Sequence, residues 1–426
     1  MHLKYGLNDK PGKAEMLLLG LQWLAVTIPS LIIIGEILGV FENGGIPYLQ
    51  KIFLLVGFLL LVQVLWGHRL PLVMGPATVL LIGVLTSSDQ GIGAVNSSIL
   101  IGGLILTFLA ISNLIKYLER LFTSRVIMVI LLLIAFTLTP TIINLVSSAG
   151  SVPANYNFIF VIAFILIIFI AHAFTKGILR SFVPLIALFL GSVAYYLVFD
   201  TFNISHLNSP LLAFPSNFIG NLAIPDIGII IAFLISFLAL AINDISSMES
   251  VGFMLKVDKL QERVKKGVAV TGAGNFLAGL FGIIGPVNYS LSPGIIVATQ
   301  NASRFTLIPA AIGLLVLAFS PMALNILTGI PLPVIGVIFL YLMVAQIGAA
   351  LLLAVESKTL KTIDDGIIVG LPVLLGIIIA FMPQSVTSGL PLVIKPIVAN
   401  GFVMGALAVL IFEHLLYPRN STYSEN

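Results

Sequence analysis

Two carboxylates stand inside an apolar run. Asp244 and Glu249 lie in LALAINDISSMESVGFML. An acid buried at the centre of a membrane-spanning helix costs about 2.5–3.5 kcal/mol to insert, so it is a functional candidate by default. A desolvated carboxyl is kept protonated and ionises when its surroundings wet. Such a group can therefore carry a proton, hydrogen-bond a neutral polar solute, or hold a cation. At 100° per residue the two acids lie about 140° apart on an ideal helix and do not share a face. Asn243, Ser246, Ser247 and Ser250 surround them with further polar groups. Glu249 is the expected solute or proton residue. Asp244 is read evenly as a coupling acid or as a neutral acid satisfied by the nearby serines.

A second constellation lies in FGIIGPVNYSLSPGIIVATQNASR, Phe281–Arg304. Gly285, Pro286 and Asn288 break the apolar pattern, and Tyr289, Ser290 and Ser292 add hydroxyls. Unpaired backbone survives at membrane depth only where it lines a cavity or is packed in protein. A half-length, Gly/Pro-interrupted segment is thus the best sequence pointer to a transporter's binding site. Met74–Thr78 is its counterpart in the first half. Helix starts near Pro76 and Pro293 would aim free N–H groups and a positive dipole end into the site. The candidate solute contacts are Glu249, Tyr289, Ser290, Ser292 and the backbone at Ala77 and Thr78. Each serine is equally compatible with plain helix packing, where small residues are common.

The elements that must position these groups follow from composition. The chain of 426 residues is 59% hydrophobic and 9% charged, against about a quarter charged in soluble domains. Only a polytopic, all-α membrane protein fits. Apolar runs and breaks place spans near 15–40, 50–67, 70–85, 92–113, 122–147, 156–174, 178–199, 226–254, 265–285, 288–300, 305–328, 331–354, 365–383 and 397–417. The third of each seven is short. Fourteen segments with matching short members read as a 7+7 inverted repeat, residues 1–200 and 226–417, joined by a linker at 201–225.

Charge supports that layout. With both termini on the cytoplasmic side, all but Lys51 and Lys395 of the 20 Lys and Arg fall on that side, as the positive-inside rule requires. The start, MHLKYGLNDKPGK, has no signal-peptide pattern, and the first apolar run reads as a retained span. The plasma membrane is the expected location. Lys256–Lys266 reads as a topology anchor and not a nucleic-acid site. Gly272, Gly274, Gly279 and Gly282 mark close helix approach, with Asn275 able to bond across helices. Glu36 and Glu413 lie near span ends and carry low functional weight. The five histidines do not cluster and cysteine is absent. No metal spacing, nucleotide-binding loop or nucleophile–base set appears. The expectation is a protein that is not an enzyme and carries no cofactor.

Several stretches resemble the nucleobase–ascorbate transporter family, which includes bacterial uracil and xanthine permeases. They are YGLNDKPGKAEMLLLGLQWLAV, LPLVMGPATV, MESVG, GNFLAGLFG, GIIVATQNASR, IPLPVIG and AVESK. Gly294, Thr299, Ser303 and Arg304 match that family's signature, while Leu291 and Ser292 stand where it has Gln-Asn or Glu-Asn. The resemblance implies Glu249 as the substrate-binding acid. It also puts Trp23 in the site, where the family often has His after Gln22. Uracil permeases carry a second acid at the position of Leu291, so the two-acid clamp is absent here. The resemblance further implies a homodimer that drives nucleobase uptake with H⁺ or Na⁺. A core of spans 1–4 and 8–11 would move against a gate of spans 5–7 and 12–14. In residues we draw the core as 15–113 and 226–304 and the gate as 122–199 and 305–417, which puts the eleventh span on the gate side of the line. The rival readings are a passive facilitator, or a carrier of a small anion as in the sulfate and bicarbonate transporters that share the fold.

Overall fold

The computed structural model describes residues 3–39, 45–112, 114, 121, 123–148, 150, 152–176, 178–199, 209–289, 292–387, 389–391 and 393–417. The first half runs α1 Lys13–Gly39, α2 Gly45–Leu65, strand β1 Met74–Pro76, α3 Thr78–Ser87, a single 3-10 turn Ser88–Gln90, α4 Ile92–Ile111, α5 Ser124–Thr137, α6 Thr139–Ser147, α7 Ala154–Phe174 and α8 Ile178–Phe199. The second runs α9 Ile227–Met254, α10 Leu260–Phe281, strand β2 Pro286–Asn288, α11 Ser292–Thr299, α12 Leu307–Ala318, α13 Pro321–Thr328, α14 Leu332–Ser357 and α15 Ile363–Ala380. Short helices α16 Gln384–Thr387 and α17 Lys395–Val398 lead into α18 Gly401–Ile411.

Among the described residues nine helices are long and apolar enough to cross a bilayer, counting α5 with α6 as one. The pair α12–α13, bent by 92°, would make a tenth. The chain is therefore an integral, multi-pass membrane protein. The bend has a local cause: Pro321 opens α13, and the Ser320 hydroxyl caps it by accepting from the Ala323 N–H. The two short segments foreseen near 70–85 and 288–300 are helical only over α3 and α11, 10 and 8 residues long. At 1.5 Å per residue those helices reach about 15 and 12 Å, half a hydrocarbon layer or less.

The helices pack in two groups. In the first, α4 lies against α10, α2 against α12, and α1 against both α2 and α12. The glycines of α10 act here as foreseen. A Cβ at Gly103 would lie 2.3 Å from the Phe276 nitrogen, and one at Gly279 would lie 2.3 Å from the Leu100 nitrogen. The two backbones touch, and no side chain larger than hydrogen fits between them. In the second group α5 packs against α14, α15 and α18. Buried Arg125, in the first turn of α5, pairs with Asp365 of α15 and, at 2.8 Å, with Glu413 beyond α18. Thr362 and Asp365 form a capping box that starts α15.

Gly103→Val should lower the melting temperature of the purified protein by an amount corresponding to about 1–3 kcal/mol, the usual cost of overpacking. Gly366→Val, where an added Cβ meets nothing within 4 Å, should change it little. Thermal unfolding of both variants in detergent checks this.

Candidate functional site

The two broken segments meet. β1 and β2 pair antiparallel, with Met74 opposite Asn288, Gly75 opposite Val287 and Pro76 opposite Pro286. Flanking bonds extend the ladder: the Ala77 N–H donates to the Gly285 carbonyl and the Tyr289 N–H to the Val73 carbonyl, each at 2.9 Å. Backbone that the prolines and glycines withhold from helices is thereby paired. Because the strands are antiparallel, α3 and α11 leave the crossing in opposite directions with their N-termini back to back. Ala77, at the N-cap of α3, makes no side-chain cap bond; the Leu80 N–H turns back to the Ala77 carbonyl at 3.0 Å, which leaves the N–H groups of Thr78 and Val79 at the crossing.

Side chains lock the crossing to the long helices. Asp244 of α9 is fully buried. Its Oδ1 accepts from the Asn288 backbone N–H at 3.0 Å and from Asn288 Nδ2 at 2.8 Å. One turn along, the Ser247 hydroxyl bonds the Asn243 carbonyl at 2.6 Å and approaches the Asn288 carbonyl at 3.3 Å. From α10, Asn275 Nδ2 donates to the Pro286 carbonyl at 2.9 Å. From the α2–β1 loop comes His68, also fully buried. Its Nδ1 accepts from the Leu70 N–H at 2.9 Å, so its proton sits on Nε2 and is donated to Asn288 Oδ1 at 3.3 Å. The result is a directed chain, His68 to Asn288 to Asp244. Gln63 of α2 steadies it: its Oε1 accepts from the His68 N–H, and its Nε2 donates to Gly267 and Thr271.

Two glycines are dictated by this geometry. A Cβ at Gly75 would lie 2.2 Å from the Tyr289 hydroxyl oxygen, and one at Gly285 would lie 1.7 Å from Asn275 Oδ1.

The candidates read from sequence fall as follows. Asp244 sits on the crossing strands. Glu249 is half-buried on the same helix, five positions further on. Ala77 is buried and Thr78 half-buried at the start of α3. Half-buried Tyr289 donates its hydroxyl proton to the Pro76 carbonyl at 3.3 Å. Ser292 is fully buried; its hydroxyl donates to the Tyr289 carbonyl at 2.9 Å and accepts from the Val73 N–H at 3.2 Å. Trp23 of α1 is fully buried and donates its indole N–H to Thr306 Oγ1 at 3.0 Å, and Thr306 in turn donates to the Ser303 carbonyl at 2.7 Å. Ser290 and Leu291 lie outside the described residues. Asn288, His68 and Gln63 were not foreseen. In the sequence Asn288 reads only as a break in the apolar run, and His68 carries no signal because the histidines do not cluster.

A cavity of about 400 Å³ opens beyond the C-terminal end of α3, lined in part by Thr86, Asp89, Thr141, Asn144 and Lys395. Two bonds beside it join the end of α3 and the turn after it to α17 and the start of α18. Lys395 Nζ meets Asp89 Oδ2 at 2.9 Å, and Asn400 Nδ2 donates to Thr86 Oγ1 at 3.1 Å. None of the foreseen site residues lines this cavity.

Broken half-helices meeting end to end among long apolar helices define a membrane transporter. Residues 14–385 match the Permease family, and the chain belongs to it. It is 26% identical over 433 residues to the protein CPE0397 of Clostridium perfringens, covering 98% of this chain and 93% of that one. It is likewise 26% identical over 434 residues to the uric acid permease PucK of Bacillus subtilis, covering 95% and 96%. Among solved structures, the transmembrane domain of the cyanobacterial bicarbonate transporter BicA superposes with a TM-score of 0.63 at 17% identity, over 88% of this chain and 98% of that one. At that identity the likeness is one of fold.

Asn288→Ala should strip the His68 proton of its acceptor and Asp244 of one donor. A buried polar group left unpaired costs about 1–3 kcal/mol, so a clear drop in melting temperature is expected. Ser247→Ala, which removes a hydroxyl bonded chiefly to its own helix, should have the smaller effect.

Proposed function

We propose that this permease carries a nucleobase of the purine type by secondary-active, alternating-access transport. The observation that carries the reading is the antiparallel crossing of β1 and β2, with a half-helix N-terminus on each side and Asp244 of α9 bonded to it. The substrate class is supported by the name of the relative PucK and by the residues that resemble nucleobase permeases.

In this reading the 14 segments form a 7+7 inverted repeat. The core comprises α1–α4 and α9–α13, its end drawn at 328 because α12 and α13 pack on α1 and α2. The gate comprises α5–α8 and α14–α18. Glu249 holds the polar edge of the base. Tyr289 offers an aromatic face, and Ser290 and the backbone at Ala77–Thr78 complete the contacts. Ser292 and Trp23 shape the site indirectly, through the strands and the segment after α11. Asp244, held by Asn288, together with Glu249 carries the coupling H⁺ or answers to Na⁺. Both termini are cytoplasmic, the protein resides in the plasma membrane, and the working unit is a homodimer. The fold shared with BicA and the leucine at position 291 favour one second reading, a carrier or passive facilitator of a small anion.

Uptake of radiolabelled uric acid, xanthine, uracil, bicarbonate and sulfate into proteoliposomes, with and without a pH or Na⁺ gradient, separates these readings. Saturable, gradient-driven uptake of a purine is expected. Glu249→Gln should abolish it, and Asp244→Asn, which keeps an acceptor for Asn288, should uncouple it from the ion while the protein stays folded. Bicarbonate or sulfate uptake without purine uptake would favour the anion reading.

The outward route must open between Asp89 and Lys395 if core moves against gate. The chain has no native cysteine, so Asp89→Cys with Lys395→Cys introduces the sole thiol pair. Oxidative cross-linking of that pair should stop uptake, and a reductant should restore it. Undiminished uptake by the cross-linked protein would exclude the movement.

A further inference from the structure

We propose that Arg69, Arg263 and Arg304 form a binding site for a phosphate-type anion at the C-terminal end of α2. Three guanidiniums converge on one short stretch of backbone. Arg69 Nε donates to the Leu65 carbonyl at 3.0 Å, and Arg304 Nη1 donates to the Val64 carbonyl at 2.6 Å. Arg263 Nη1 donates to the carbonyls of His68, at 3.2 Å, and Arg69, at 3.3 Å. The Nε groups of Arg304 and Arg263 are taken by Asn8 Oδ1 and the Asp258 carbonyl. Among the described residues, Arg263 Nη2, Arg304 Nη2 and both Nη groups of Arg69 have no partner, and none of the three is in an ion pair. Lys10 adds a fourth cation, 5.1 Å from the centre of the Phe305 ring on which Arg304 also lies.

Capping α2 does not use up this charge. A helix C-terminus carries roughly half a negative elementary charge and the Asp258 carboxylate lies near Arg263, against three guanidiniums that stand close enough to repel one another. The cluster is built for a counter-ion with several oxygens, and the arginine fork matches phosphate geometry. Trp66, next to the cluster and 64% exposed, is the kind of residue that sits at the membrane–water boundary. That position favours the phosphodiester of an anionic lipid headgroup as the source, with free phosphate as the other. Arg263 also holds the carbonyl of His68, whose ring supports Asn288, so occupancy would stiffen the site's own scaffold. The inference stands whichever solute the permease carries.

Thermal unfolding of the purified full chain tests it. One arm compares nanodiscs of phosphatidylcholine with nanodiscs containing phosphatidylglycerol. The other adds inorganic phosphate to phosphatidylcholine nanodiscs, against sodium chloride at matched ionic strength. The wild type should melt several degrees higher with one or both probes. A shift with phosphatidylglycerol alone assigns the site to a lipid headgroup; a shift with phosphate as well assigns it to the free ion. Arg69→Gln, an exposed position, should lose at least half of the shift, and Lys361→Gln, away from the cluster, should keep it. No shift with either probe, or a full shift in Arg69→Gln, would overturn the proposal.

Discussion

A backbone N–H or C=O without a partner in hydrocarbon costs several kcal/mol, and the crossing of β1 with β2 is the answer to that constraint. Pro76, Gly285 and Pro286 interrupt two would-be spans and release backbone groups that no helix can pair. The freed groups of one segment bond those of the other. Neither broken segment can adopt this form alone, so the two halves of the chain are interlocked at their deepest point. The remaining requirement is to hold the crossing rigidly, and three long helices do so. Asp244 from α9, Asn275 from α10 and, through His68, the end of α2 all bond β2 directly.

That rigidity contrasts with the seam between the two helix groups. Within the first group α4 and α10 touch backbone to backbone. At the end of α3, two polar bonds lie beside a sizeable cavity. Exposed ion pairs typically contribute 0–1 kcal/mol, so a link such as Asp89–Lys395 can be made and broken at little energetic cost. A stiff crossing carried on one group would suit the alternating access proposed above.

Much of this was legible in the sequence because the membrane makes backbone breaks conspicuous. Glycine and proline inside apolar runs marked both half-helices, and the glycines of α10 marked its contact with α4. The two exceptions to the positive-inside pattern now have partners: Lys51 donates to the carbonyl of Phe281 at the end of α10, at 2.6 Å, and Lys395 meets Asp89. What stayed hidden depends on long-range pairing. Nothing local joins His68 to Asn288, 220 residues away, or Asn288 to Asp244, 44 away. Three-residue strands that contain proline carry no alternation pattern. The partners of Ser292 are likewise invisible in the sequence: the carbonyl of Tyr289 and the N–H of Val73, one of them in the other half of the chain.

The direct measurement of where the solute sits is a cryo-EM map of the protein in lipid, recorded at saturating uric acid. The expected result is planar density between Glu249 and the N-terminal ends of α3 and α11, against the β1–β2 crossing. Density elsewhere, for instance in the cavity beside Lys395 with the crossing empty, would contradict the assignment of the site.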